Sequence, residues 1–464
     1  MGAWTLIVPE GLLLAGALVA LFSDVLFAGR ERAGAWAGAA FAALAAMVSV
    51  AAGGGNVALF GGQFAVDGAA QLTRTATLLL TAAFLVWLAG AGLARGRVRE
   101  FAALVLFASL GALLMAAARD WLVLLLALEA ATMPAYVLMG FDRGDDRSLE
   151  GALKYFLLSM VASLLFLYGM SFIIGMSGST LLAASHLQPG MIGVVAMAFV
   201  FAGLLAKLSA APFQWWSPDA YAGAPSAAVA FVSSVPKIAG LLAFARVAAV
   251  LGPQSTATGP LLAAAAVASM LIGNLAAYPQ TDVRRLMAYS GVAHAGYLLV
   301  GLATGTVAGM QAAVFYALAY AVPSMGVMLV AAQHGDTLDG LRGLASRRPW
   351  AAWATALMLV SLVGVPPLAG FTGKLYLFTA AMRADLVWLA VIAVAMSAVS
   401  AGFYLRIVRA MFFSPAQGTE PAADGSGVSD GSGVSVAVVA ACALAVIVIG
   451  VASSPLLAAI SFGR

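Results

Sequence analysis

The sequence predicts an all-α membrane protein with about 14 transmembrane helices. Hydrophobic residues make up 63% of the 464 positions and charged residues only 9%, against about 25% charged in a soluble globule. The apolar residues fall in runs that match the ~20 residues of helix needed to cross a hydrocarbon core. Most of the charge lies in short stretches between those runs.

The apolar segments lie near 4–23, 33–52, 76–94, 101–118, 121–140, 150–175, 190–211, 225–251, 260–278, 283–303, 308–333, 350–382, 386–413 and 433–456. The first starts almost at Met1, without a basic n-region or a small-residue cleavage site after it. It reads as a retained span and not a signal peptide. The second to sixth are apolar runs between polar loops, the fifth opening at Asp120. The seventh ends in Ser209-Ala210-Ala211-Pro212 and is followed by Trp215, Trp216 and Pro218, which predicts a break. The eighth reads as one helix from Pro225, and the ninth to eleventh as three more. The twelfth is the longest. It holds Gly364, Pro366, Pro367 and Gly370, so it should break near its middle. Broken helices at membrane depth are tolerated only inside protein or beside a wet cavity. The stretch from Gln417 to Ser435 is rich in Gly, Ser, Asp and Ala and reads as a flexible loop before the last helix.

Segments 4–8 and 9–13 are two groups of five, and an odd number of spans inverts the second group relative to the first. The fourth member of each group is broken and carries a lysine. The expected organisation is three N-terminal helices at 1–98, one repeat at 99–251 and a second, inverted repeat at 260–413. A loop at 414–434 and a C-terminal helix at 435–464 complete it.

Arginines set the expected orientation. Loops after segments 1, 3, 5, 9, 11 and 13 carry Arg30, Arg95, Arg143, Arg284, Arg347 and Arg409 with most of the others. The opposite side has Arg74, Arg119, Arg383 and Arg464. The positive-inside rule then places both termini outside the cytoplasm of a prokaryotic cell, in its plasma membrane.

Several functions are excluded. The net charge of +4 comes without a basic cluster, so no nucleic-acid partner is expected. Cys442 is the one cysteine, which leaves no internal disulfide and no four-cysteine iron–sulfur site. His186, His294 and His334 are too far apart for a local metal motif, and no HExxH or phosphate-binding loop is present. Gly90 and Gly92 lie in an apolar run, where close helix packing is their expected use. Neither a metal nor a redox cofactor is expected in this chain.

The chemistry lies in the charges that remain inside apolar segments. The chain has four lysines, Lys154, Lys207, Lys237 and Lys374, all inside or near the ends of such segments, whereas most of its 19 arginines sit in loops. A charge near the bilayer centre costs ~2.5–3.5 kcal/mol on insertion scales and tends to mark an ion or proton path. Lysine is the base whose proton burial can remove; arginine stays charged. Glu129 lies nine residues past Asp120, roughly 13 Å deep at 1.5 Å per residue. His294 lies as far past Arg285, and Lys237 roughly 18 Å past Pro225. Lys207 and Lys374 each adjoin a predicted break.

Several titratable groups therefore share one level. Structural uses compete with this reading. Glu129 could serve as a paired structural carboxylate, and Lys207, Lys237 and Lys374 could bind carbonyls freed by the breaks. His294 could be a satisfied core histidine. Lys154 could snorkel or pair with Glu150 at i,i+4. Glu10, Asp24 and Arg246 are read as structural.

Long stretches carry a family resemblance. They are LLALEAATMPAYVLMGF, RSLEGALKYFLLS, AKLSAAPFQWWSPDAYAGAPSAAVAFVSSVPKIAG, RRLMAYSGVAHAGYLLVGL and GVPPLAGFTGKLYLF. Over roughly 99–380 the chain resembles the subunit N family of the proton-translocating NADH:quinone oxidoreductase, respiratory complex I. The resemblance implies 14 helices with helices 7 and 12 broken, and helices 4–8 and 9–13 as antiporter-like inverted repeats. It pairs Glu129 with Lys207 and adds Lys237, His294 and Lys374 to a proton path, with Lys154 as a further position. A lysine at 374 argues against the subunit M type, and the short C-terminus against the subunit L type.

By the same resemblance, NADH, FMN, iron–sulfur clusters and quinone belong to partner subunits. The partners are the other membrane subunits, the bilayer and, indirectly, a peripheral redox arm. This chain would act as a translocase subunit in electron transport coupled to ATP synthesis. Rival readings are an Mrp-type cation/proton antiporter, or a structural membrane scaffold of a related hydrogenase or deazaflavin dehydrogenase.

Overall fold

A computed structural model describes residues 3–27, 31–53, 55–91, 97–415 and 433–463. Helices 1 to 6 span Val8–Leu21, Ala33–Ala52, Gly68–Ala91, Val98–Ala117, Trp121–Met139 and Asp146–Ser177. Helix 7 comprises Met191–Lys207 and Trp216–Gly223, and helix 8 comprises Ser226–Val232 and Val235–Leu251. Helices 9 to 11 are Thr258–Ala277, Val283–Ala303 and Val307–His334. Helix 12 comprises Pro349–Val363 and Ala369–Arg383, and helices 13 and 14 are Val387–Phe413 and Gly433–Val451. Arg30, Arg95, Arg464 and most of the Gly/Ser-rich loop, 416–432, lie outside the described residues.

Local sequence explains several boundaries. Asp120, Asp145, Asp282 and Thr306 each accept a bond from a backbone N–H of the following first turn. These caps satisfy donors that a helix start leaves free. The expected breaks in helices 7 and 12 are present. Helix 8 differs from its expected single run, because its ladder is interrupted at Ser233 and Ser234. Pro236 follows, and it has no N–H for the carbonyl one turn back.

The segment after helix 2 holds a small antiparallel hairpin that the all-α reading missed. Val57–Leu59 pairs with Phe64–Val66 in the register Val57↔Val66, Ala58↔Ala65 and Leu59↔Phe64. Gly61 and Gly62 make its turn at φ 64° and 93°, in the region that glycine reaches without a steric cost.

Helix 11 is buried along its length and helix 10 nearly so, whereas helices 6 and 13 present much of their surface outward. Small residues bring backbones together around that centre. A Cβ on Gly111 of helix 4 would lie 2.2 Å from the Ala131 nitrogen of helix 5, and one on Gly273 of helix 9 would lie 2.3 Å from the Ala293 nitrogen of helix 10. Close approach of this kind replaces the hydrophobic force that lipid cannot supply between helices.

Two buried ionic clusters pin the end of the molecule that carries the termini. Arg74 binds Glu10 at 2.7 Å and donates to the Leu6 carbonyl at 2.6 Å. Asp67 accepts from Arg119 at 2.6 Å, from Arg246 at 2.8 Å and from the Gly463 backbone N–H at 2.9 Å. Glu10 and Arg246 thus have structural partners, and Asp24 pairs with Arg99.

Asp67→Ala would strand Arg246, whose side chain is only 3% exposed. Removing one partner of a buried ion pair costs about 3–5 kcal/mol. The expected result is a lower unfolding midpoint in detergent and faster carboxypeptidase digestion of the C-terminal tail. Both are read on the purified protein.

Candidate functional site

Helix 7 stops at Lys207 because the chain turns away from helical geometry there. Ser209 takes φ 58° and Pro212 has no N–H to continue the ladder. The Ala206 carbonyl, left over by the break, accepts from the Trp216 indole at 3.0 Å. Lys207 is thus freed to reach sideways toward helices 5 and 6. Its ammonium lies 3.4 Å from Glu129 Oε1. It donates to Ser159 Oγ at 2.7 Å and reaches Thr132 Oγ1 at 3.4 Å. Ser163 donates to the same Glu129 oxygen, while Glu129 Oε2 is buried without a hydrogen-bond partner. The ion pair is therefore loose, and three hydroxyls share its charge.

A cavity of about 30 Å³ separates Lys207 from Lys237 and is also bordered by Thr132, Tyr155, Trp216 and Pro236. That volume admits at least one water, which needs roughly 10–15 Å³ and a few polar partners. The Lys237 ammonium makes no hydrogen bond in this arrangement. It lies 5.8 Å from the centre of the Tyr221 ring and 5.6 Å from that of Tyr320, at cation–π distance. Gly291 marks its position against helix 10, because a Cβ there would stand 2.6 Å from Lys237 Nζ and 3.0 Å from the Tyr320 hydroxyl.

His294 lies one turn beyond Gly291 and is 2% exposed. Its Nδ1 is 2.8 Å from the Tyr316 hydroxyl and its Nε2 is 3.0 Å from the Tyr404 hydroxyl. The Tyr320 ring is 4.6 Å from the imidazole, centre to centre. Tyr297 continues the aromatic group at 5.6 Å from His294, and the Lys374 ammonium lies 5.0 Å from the Tyr297 ring centre.

Lys374 ends the row at the break in helix 12. It donates to the carbonyls of Leu362 and Val363 at 2.9 and 2.8 Å and to Ser397 Oγ at 2.7 Å. The break thus supplies the acceptors that hold the ammonium. Gly364 shapes it with φ 98°, and a Cβ there would stand 3.2 Å from Lys374 Cδ.

Glu129, Lys207, Lys237, His294 and Lys374 thus come together in one band, in which Lys237, His294 and Lys374 are buried and Glu129 and Lys207 half-buried. Lys154 stands apart. It pairs with Glu150 at 2.8 Å and with Asp219 at 3.1 Å, and its side chain is 43% exposed. Asp219 also binds Arg285 at 3.2 Å. The sequence reading missed Ser159, Ser163 and Thr132, and it missed Tyr221, Tyr316, Tyr320 and Tyr404. The i,i+4 spacing of Tyr316 and Tyr320 within an apolar run is the one signal that could have found a pair of them.

The breaks in helices 7 and 12, each with a lysine beside it, define the class as an antiporter-like membrane subunit. The family model described as NADH:quinone oxidoreductase/Mrp antiporter, transmembrane, matches residues 118–400. The NADH-quinone oxidoreductase subunit N of Methylobacterium nodulans is 38% identical over 470 residues, covering 97% of this chain and 95% of that protein. A chain of respiratory complex I from Thermus thermophilus is 32% identical with a TM-score of 0.82, covering 98% of this chain and 100% of that one. A chain of the Mrp complex from Dietzia sp. shares the fold at a TM-score of 0.83 and 24% identity, over 98% of this chain and 96% of that one. This chain belongs to the NADH-quinone oxidoreductase subunit N family of bacterial multi-pass membrane proteins.

Gly364→Ala would combine an unfavourable φ with crowding of Lys374. Strain of that kind costs about 1–3 kcal/mol. The expected outcome is a lower melting temperature and impaired activity of the assembled protein, checked by thermal unfolding and by turnover per assembled complex.

Proposed function

We propose that this chain is a proton-translocating membrane subunit of an NADH:quinone oxidoreductase. The contact between Lys207 and Glu129 carries the reading, since it sets a removable proton beside the carboxylate that holds it in place. NADH oxidation and quinone reduction, with FMN and iron–sulfur clusters, take place in partner subunits. This chain converts the energy they release into proton movement.

While Glu129 is ionised beside it, Lys207 keeps its proton. A signal from a neighbouring subunit neutralises or withdraws Glu129. A lone ammonium in apolar protein is then unfavourable, and the proton leaves. It passes across the small cavity to Lys237, on to His294 and then to Lys374, with release on the outer side. Lys374 receives it where the carbonyls of the break and Ser397 stabilise an ammonium.

Lys154 keeps its surface partners and is an accessory position at most. Both termini face outward in this reading, which sets the arginine-rich loops in the cytoplasm. Residues 99–251 and 260–413 act as two inverted repeats, with 1–98 and 435–464 packed around them and 414–434 as a connecting loop.

Glu129→Gln keeps the shape of the side chain and removes its charge. In the assembled complex it is expected to slow coupled quinone reduction roughly tenfold or more without reducing assembly, read by native gel and by NADH oxidation in sealed membranes. Normal coupled activity would make Glu129 a structural carboxylate. Sodium-dependent transport without quinone reductase activity would identify a cation/proton antiporter instead.

A further inference from the structure

We infer that Ser290, Tyr404, His294 and Tyr316 form a proton wire with two opposite polarities, in which Tyr404 is the positioning residue for His294. This rests on the reading of the chain as a proton-translocating subunit.

Ser290 and His294 lie one turn apart on helix 10, Tyr316 on helix 11 and Tyr404 on helix 13. All four side chains are at most 2% exposed. The Tyr404 hydroxyl bonds both Ser290 Oγ and His294 Nε2, and the Tyr316 hydroxyl bonds His294 Nδ1. Among the described residues, no carboxylate bonds any of the four. A neutral imidazole has one N–H and one bare nitrogen. One tyrosine must therefore donate to it while the other accepts.

Two complete arrangements satisfy that rule. In the first, Ser290 donates to Tyr404, Tyr404 donates to Nε2, and Nδ1–H donates to Tyr316. In the second, every bond is reversed. A proton arriving at Ser290 converts the first into the second. Ser290 passes its own proton to Tyr404, and Tyr404 passes its own to Nε2. Nδ1 yields its proton to Tyr316, and Tyr316 releases one beyond the wire. One proton enters, one leaves, and each group ends neutral. A second transfer in the same direction requires the hydroxyls to turn and the imidazole to exchange tautomers.

The Tyr316 ring lies 6.2 Å, centre to centre, from Tyr297, and the Lys374 ammonium lies 5.0 Å from that Tyr297 ring. The Tyr316 end of the wire is thus the one on the side of Lys374. Tyr404 determines its polarity, because its single hydroxyl proton goes either to Nε2 or to Ser290.

The test uses Tyr404→Phe, Tyr316→Phe and the double variant in the intact oxidoreductase complex. Each single variant keeps the ring and is expected to lower kcat of coupled NADH oxidation roughly tenfold or more. The KM values for NADH and quinone should stay unchanged, because neither binds here. Steps in series fail together, so the double variant should be no slower than the slower single one. Effects that multiply in the double variant would overturn the wire. Should a tyrosine variant fail to assemble, Ser290→Ala serves the same test, with a wild-type rate overturning the proposal. Wild-type rates in the tyrosine variants with a slowed Glu129→Gln would overturn the wire alone. Wild-type rates in all of them would overturn the functional reading as well.

Discussion

The structure depends on keeping three ammonium groups inside a low-dielectric protein. Isolated charges there are costly, and they persist only when hydrogen bonds or opposite charge compensate them. The chain solves the problem in three ways. Lys207 has a carboxylate and hydroxyls. Lys237 has the faces of two tyrosine rings beside a small cavity. Lys374 has two carbonyls and a serine. The compensation therefore differs in kind along the row. Only at Lys207 does it depend on a group that can itself change charge.

The helix breaks follow from the same constraint. A continuous helix 12 would use the carbonyls of Leu362 and Val363 in its own ladder. Breaking it at Gly364 turns them toward Lys374. In helix 7 the break instead lets Lys207 turn toward helix 5, and the freed Ala206 carbonyl is taken by Trp216. Such irregular backbone needs a firm surround. Glycine-mediated backbone contacts supply it within the membrane, and the clusters at Asp67 and Arg74 supply it at the end bearing the termini.

Much of this was legible in the sequence for a simple reason. Against an apolar background, Glu129, Lys207, Lys237 and Lys374 stand out at once, and Pro212, Gly364 and Pro367 mark the breaks. The partners were not legible. A serine, threonine or tyrosine inside an apolar helix is chemically ordinary, and only packing shows that Ser159, Ser163 and Thr132 face one ammonium. Tyr404 lies 110 positions from His294, and nothing local links them. The interruption of helix 8 had a signal in Pro236, and the hairpin had one in Gly61-Gly62. Both were outweighed by the apolar runs around them.

The central claim is that the proton held by Lys207 is one the molecule moves. Lys207→Ala, assembled in the complete complex and reconstituted in sealed vesicles, tests it through the number of protons translocated per electron passed to quinone. A reduced ratio is expected, or turnover that stops because the proton step is blocked. A rate and a ratio both equal to those of the unaltered complex would contradict it.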